Sequence, residues 1–366
     1  MNIGIDAGAL RGPLAGVGRY LWELLERLPA LAPQDTFHLY ASRPVPRQPS
    51  SPACRLHVGL AGRLLPGTFW LKSRARQFAR RDRLDCFWGP AHFLPPTLPP
   101  GLRTVLTVHD LVWVYYPETM AHHNASVHRS YFRRSVERAD IVIADSHSTR
   151  SDLLRELAVP EDKVRVVHAG VADAFRPMPG PEQQARLKAL RTPGTFLLSV
   201  GTLEPRKNYP LLFRALAGVP DAQLIVVGRR GWKHSDITRT ISDLALGARV
   251  HLLEYVSTED LIALYSAAQL VVLPSLYEGF GLPVLEAMAC GTPVLASNTS
   301  SLPEVGGDAA VYFESNSVES LRAELVRLLA DPKTRASMSR KGLERTKEFS
   351  WTQAAQSTLN VLKRTG

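Results

Sequence analysis

The sequence predicts an α/β protein of two lobes, each a parallel sheet with helices on both faces. Three observations lead there. At 366 residues the chain exceeds what one hydrophobic core usually organises. Short apolar runs alternate with stretches of helical spacing along its length. Midway, residues 172–193, rich in Pro, Gly and Gln, break that alternation and read as a connection. The boundary is drawn there, giving a first lobe of residues 1–172, a second of 173–350, and a closing segment 351–366.

The elements follow in order. Residues 2–6 form an apolar strand that ends in a loop holding Gly8, Gly12, Gly16 and Gly18. Val17, Leu21, Leu24, Leu25 and Leu28 then recur at helical spacing, predicting a helix over 17–31. Strands are expected at 104–108, 141–144 and 164–168, with a helix over 149–157. A second set begins with strand 196–200 and helix 209–217. Strands at 224–227, 250–253, 270–273 and 294–296 continue it, with a helix over 284–289 that Gly291 caps. Strands this apolar suit parallel sheets buried on both faces. Residues 139–146 (ADIVIADS) echo 268–275 (AQLVVLPS), either as related lobes or because buried strands look alike. The chain closes with Phe349-Ser350-Trp351 and a helix over 352–362.

Composition narrows the function classes. Hydrophobic residues make up 45% and charged residues 21%, as in soluble globular proteins. Cys54, Cys86 and Cys290 are odd in number and far apart, which argues against a disulfide framework or a zinc site and for a reducing, cytoplasmic compartment. No signal peptide is expected from MNIGIDAGALRG, and no run of about 18 apolar residues suggests a membrane span. The net charge of +10 is uneven, since residues 1–180 hold 23 Lys and Arg against 16 Asp and Glu.

Ligands of open parallel sheets bind at the carboxyl ends of strands. After strand 196–200 comes Gly201-Thr202-Leu203-Glu204-Pro205-Arg206-Lys207-Asn208, with two cations just before a helix. A helix start already favours anions, and Arg as a fork with Lys as a point charge would suit a pyrophosphate; the alternative is a solvated surface loop. After strand 270–273 comes Pro274-Ser275-Leu276-Tyr277-Glu278-Gly279-Phe280-Gly281-Leu282-Pro283. Gly279 and Gly281 let backbone approach a ligand, and amides at Phe280, Gly281 and Leu282 suit phosphate. Glu278 and Glu286 would repel phosphate, so they fit sugar and ribose hydroxyls better. Glu286 lies in the apolar stretch LPVLEAMACG, where a carboxylate is costly unless paired.

These residues carry a resemblance. EPRKN followed by PSLYEGFGLPVLEAMACGTPV, with Glu278 and Glu286 separated by seven residues, closely resembles the retaining glycosyltransferases of family 4, which have the GT-B architecture. Gly16-Val17-Gly18-Arg19-Tyr20, His109-Asp110, Ala139-Asp140 with Ser146, and Val256 with Glu259 extend the match over nearly the whole chain. The resemblance implies two Rossmann-like lobes facing a central cleft, with segment 351–366 crossing back to complete the first. It implies Arg206 and Lys207 on the donor pyrophosphate, Glu286 on the ribose, and Glu278 on the transferred sugar, helped by the Phe280, Gly281 and Leu282 amides. Gly16 would lie near the phosphates and acceptor. His109 would face the sugar, with general base as an alternative role and a purely structural histidine as another. Many relatives carry Arg where this chain has Thr202, which puts more weight on Arg206. A same-face displacement is implied, with no carboxylate nucleophile evident.

No cofactor is expected. The sequence has no Asp-x-Asp, and the two cations can replace a metal ion's charge. EPRKN-type members resemble mannosyl- or rhamnosyltransferases, so a GDP-linked hexose leads and a UDP-sugar is second. The resemblance implies as acceptor a saccharide or lipid-linked saccharide of cell-surface polysaccharide or lipopolysaccharide synthesis. Seven cations from Arg63 to Arg83, beside Leu64, Leu65, Phe69, Trp70, Leu71 and Phe78, suggest an amphipathic surface on an anionic membrane; a solvated helix face is the alternative. Arg129, Arg133, Arg134 and Arg138 would extend it. No nucleic-acid motif accompanies the charge. A nicotinamide or flavin oxidoreductase would need a third glycine where Leu21 stands. A catalytically idle, donor-binding relative is the remaining rival.

Overall fold

A strand whose side chains are apolar on both faces needs helices above and below it, and the chain supplies them twice. The computed structural model describes residues 1–12, 16–59, 67–120, 131–231 and 233–363, leaving aside the side chains of 67–70 and 72. It divides into two units. One comprises Met1–Val114, His122–Gly170 and Ser350–Gly366; the other comprises Tyr115–Ala121 and Val171–Phe349.

Among the described residues, the first unit holds a seven-stranded parallel sheet. Its strands are β1 (Asn2–Asp6), β2 (Thr36–Ala41), β3 (Cys54–Val58), β4 (Cys86–Gly89), β5 (Arg103–Val108), β6 (Ile141–Ala144) and β7 (Val164–Val166), in the order β3-β2-β1-β4-β5-β6-β7. The second unit holds six parallel strands: β8 (Leu197–Val200), β9 (Leu224–Val227), β10 (Val250–Leu253), β11 (Leu270–Leu273), β12 (Val294–Ser297) and β13 (Ala310–Phe313), in the order β10-β9-β8-β11-β12-β13. Both orders reverse beside the first strand, so each sheet has a crevice where ligands of such folds bind. In the first unit it lies between β1 and β4, and in the second between β8 and β11.

Helix Val17–Leu31 buries Tyr20, Leu21, Leu24, Leu25 and Leu28, the stripe read from the sequence. The closing helix Trp351–Lys363 packs on it, with the Trp351 and Tyr20 ring centroids 5.9 Å apart. Arg103 donates to the Val361 carbonyl at 2.9 Å, and Lys363 pairs with Asp35 at 2.8 Å. Where the chain re-enters this unit, a Cβ on Gly170 would sit 2.2 Å from the Trp351 nitrogen, so only glycine fits.

The connection expected at 172–193 begins beside the division at Gly170/Val171, and it carries an element of its own: helix Gly180–Ala189 packs on helix Thr258–Ala267, with Arg186 bound to Asp260 at 3.0 Å. It buries no residue fully, so no apolar stripe announced it. Nor are the echoing segments equivalent. Strand β6 is second from the edge of its sheet, whereas β11 flanks the crevice, so the likeness is that of any two buried strands.

Candidate active site

The crevice of the second unit collects the sequence-predicted donor residues from two loops. After β8 the chain makes a short 3-10 turn, Pro205–Lys207, and Asn208 adopts a left-handed conformation (φ 50°) to start helix Tyr209–Ala217. That turn aims Arg206 and Lys207 at the loop after β11. Lys207 Nζ donates to Glu278 Oε1 at 2.5 Å, and Arg206 Nη1 donates to Glu278 Oε2 at 2.8 Å. Ser275 adds a third donor to Oε1 at 2.6 Å. Burial alone would raise the Glu278 carboxyl, but Lys207, Arg206 and the hydrogen bonds from Lys207 and Ser275 outweigh it and hold the group at about 2. Glu278 is therefore ionised throughout the physiological range and can accept hydrogen bonds but not donate a proton.

The two loops are also joined by backbone. Leu276 N donates to the Arg206 carbonyl, and Arg206 Nη1 donates to the Tyr277 carbonyl, each at 2.8 Å. Residues just beyond β12 hold the far side: Ser300 Oγ accepts from Glu278 N at 2.8 Å, and Ser301 Oγ reaches the carbonyls of Glu278 and Phe280, both at 2.8 Å. Ser300 takes a left-handed φ of 48°, costly for a serine, to present that oxygen. Gly281, at φ 105°, begins helix Leu282–Ala289 without a side-chain cap, so this helix start offers backbone amides rather than a hydroxyl. Phe280 is buried and Leu282 half-buried.

Glu286 stands apart from the Glu278 cluster in its partner. It is 6% exposed within that helix and accepts from the Tyr265 hydroxyl at 3.0 Å, which accounts for a carboxylate in an apolar stretch. Val256 is half-buried in the loop after β10, at the carboxyl end of the same sheet.

In the first unit, Gly16 is exposed and left-handed (φ 50°) at the start of helix Val17–Leu31, and Gly18 is buried. His109 follows β5 with both ring nitrogens engaged, Nδ1 with Asp145 Oδ2 at 2.5 Å and Nε2 with the Pro90 carbonyl at 2.8 Å. Burial would lower its pKa, but Asp145 and the Pro90 carbonyl reverse that and raise it. Both partners are acceptors, so the pair of contacts favours the protonated ring. That arrangement weighs against His109 as a general base.

On helix Gly67–Arg81, Leu71 and Phe78 are buried, and the Phe78 and Tyr40 rings stack 5.0 Å apart, so these two apolar side chains serve the core. Arg74, Arg76, Arg80, Arg81 and Arg83 are exposed. Arg63, Leu64, Leu65 and Arg129 lie outside the described residues, as do the side chains of Phe69, Trp70 and Lys72.

Comparison with known proteins decides the family. Residues 14–175 match the model described as Glycosyltransferase Family 4, and residues 182–345 match Glycosyl transferases group 1. The O-antigen chain mannosyltransferase B of Escherichia coli is 31% identical over 99% of this chain and 100% of its own length. The chain belongs to the family 4 glycosyltransferases. Sucrose-phosphate synthase of Thermosynechococcus elongatus superimposes with a TM-score of 0.81 at 23% identity, covering 98% of each chain. The Anabaena HepE complex with UDP and glucose does so with 0.77 at 20%, covering 100% of this chain and 99% of its own. At those identities the likeness is one of fold, and the fold is GT-B.

Sequence reading missed several groups that shape these sites: Glu204, Ser275, Tyr277, Ser300, Ser301 and Tyr265 in the second unit, and Asp145 in the first. Their signal was positional. Glu204, Ser275 and Tyr277 stand inside the two loops already singled out, and Ser300 and Ser301 follow the neighbouring strand β12, where the same rule about strand ends applies.

Proposed function

We propose that this transferase moves a mannosyl group from a GDP-linked donor to a saccharide or lipid-linked saccharide of cell-surface polysaccharide, with retention of configuration and without a metal. The carboxylate of Glu278, held between Lys207, Arg206 and Ser275 at the carboxyl ends of β8 and β11, is the observation that carries this reading. Breaking a sugar–phosphate bond builds negative charge on the departing diphosphate. Cations fixed beforehand stabilise that charge, in the place a metal would take. Glu278, pinned as an acceptor, suits a hydroxyl of the transferred sugar, and Glu286 the ribose, reached from one helix start. A carboxylate tied to two cations is a poor nucleophile, which favours a same-face displacement in which the departing phosphate oxygen takes the acceptor's proton. The E. coli relative's name supports mannose and an O-antigen chain as the acceptor class.

Among the described residues no helix is long and apolar enough to cross a membrane. Exposed Arg74, Arg76, Arg80 and Arg83 would instead meet anionic head groups by charge alone, at the cytoplasmic face. Such binding to anionic vesicles should weaken steeply with salt; salt-insensitive binding would reject it.

The deciding assay incubates the protein with GDP- and UDP-sugars and an acceptor panel, with and without chelator. GDP release from GDP-mannose, with α-anomeric product by NMR and no loss on chelation, is the expected result. Preferential UDP release would move the donor to the UDP-sugar alternative. Nucleotide binding without turnover on any acceptor would leave an idle, donor-binding relative.

A further inference from the structure

An arginine that grips a diphosphate does so with two parallel N–H groups along one edge of its guanidinium. Arg206 has already committed both edges. Its Nε and Nη2 donate to Glu204 Oε1 at 3.1 and 2.8 Å, and Nη1 donates to both the Tyr277 carbonyl and Glu278 Oε2. That is four of the five N–H groups a guanidinium owns, so neither edge can present a pair to phosphate without breaking a protein bond. All of these acceptors belong to the two donor loops. Lys207 differs, because a flexible ammonium with three donors can turn from Glu278 to a ligand and keep a bond to each.

We infer that Arg206 is a positioning residue rather than the pyrophosphate fork: with Glu204 it clasps the loop after β8 to the loop after β11 and sets the plane of the Glu278 carboxylate, while Lys207 carries the charge that meets the diphosphate. Glu204 keeps the guanidinium from swinging out. Its negative charge also cancels that of Arg206, leaving Lys207 opposite Glu278. The inference rests on the donor site proposed above and divides its labour.

The test separates the roles by sign. Lysine keeps the charge of Arg206 but cannot reach Glu204, Tyr277 and Glu278 together. Arg206→Lys and Arg206→Gln should therefore lose kcat alike, by about tenfold or more, with donor KM and GDP affinity within ~3-fold of wild type. Lys207→Gln should weaken GDP binding by about tenfold or more in calorimetry. Glu204→Gln should lower kcat without tightening GDP. Were Arg206 the fork, removing the acid that neutralises it would tighten GDP and UDP several-fold, and Arg206→Lys would keep most of kcat; either result overturns the inference. Hydrogen exchange on the ligand-free protein reads the clasp without any nucleotide. Amides at Leu276 and Glu278 should exchange faster in Arg206→Lys than in wild type, and unchanged exchange there rejects the clasp. Wild-type protein that binds and releases neither GDP nor UDP would instead overturn the donor assignment, while the exchange result still decides the clasp.

Discussion

Asp6 and Glu278 are both carboxylates at the crevice of their own sheet, one ending β1 and the other following β11, and their surroundings shift them in opposite directions. Burial pushes Asp6 upward, and only the Gly8 amide and the charge of Arg11 pull against it. The same burial acts on Glu278, but two cations and a serine hydroxyl bring it to about 2. Two sheets of matching strand order thus carry different chemistry, because the loops beyond the strands decide how many positive charges a buried acid meets. The second unit spends its cations on one carboxylate. The first sets a buried histidine, His109, against Asp145.

That contrast can be broken first at its strongest point. Lys207→Ala and Glu278→Gln should each lower turnover by about a few hundredfold or more if the pair organises the charged transition state, and single-turnover kinetics would detect it. Wild-type-like rates in either variant would remove the basis of the donor site. Asp145→Asn should come next. It leaves a buried His109 without its counter-charge and should cost about 3 kcal/mol in urea unfolding, with little effect if the ring were neutral.

Acid and base should then act on the two units in opposite senses. Glu278 has a folded pKa below its ordinary 4.5, so its stabilisation is complete above that value and fades as pH falls towards about 2. His109 has a folded pKa above its ordinary 6.5, so its contribution is complete below 6.5 and fades as pH rises through the folded value. Site-resolved hydrogen exchange between pH 4 and 9 should show the surroundings of His109 loosening towards alkali while those of Glu278 hold. The smallest effect belongs to the exposed arginines. Arg74→Ala and Arg76→Ala should shift unfolding stability by no more than about 0.5 kcal/mol, because neither side chain serves the core.

Much of this was legible in the sequence, and the exceptions have physical reasons. Strands β1 and β5 to β12 could be read directly, nearly all as apolar runs. Strands β2, β3, β4 and β13 were not, since His38, Tyr40, Arg55, His57, Gly89 and Tyr312 interrupt the pattern that announces a buried strand. The meeting of Lys207 and Arg206 with Glu278 could be anticipated because strand ends at a crevice converge. The closure of Arg206 on Glu204 could not, because a pair two residues apart looks like surface charge until the turn that folds it inward is seen. His109 illustrates the same limit. A lone histidine after a strand says nothing of its protonation, on which Asp145 and the Pro90 carbonyl act from elsewhere in the chain.

The stretch Tyr115–Ala121 leaves the first unit's sequence to join the second, where Tyr115 and Tyr116 lie against Tyr277 at ring-centroid distances of 5.6 and 6.2 Å. Protein engineers who cut at the midpoint to exchange the two units would strip the second of the aromatic support against the very loop that carries Glu278. They would also deprive the first of its last helix. A working chimera has to trade residues 115–121 along with 171–349, so each unit of this chain is inherited as discontinuous segments rather than as a half.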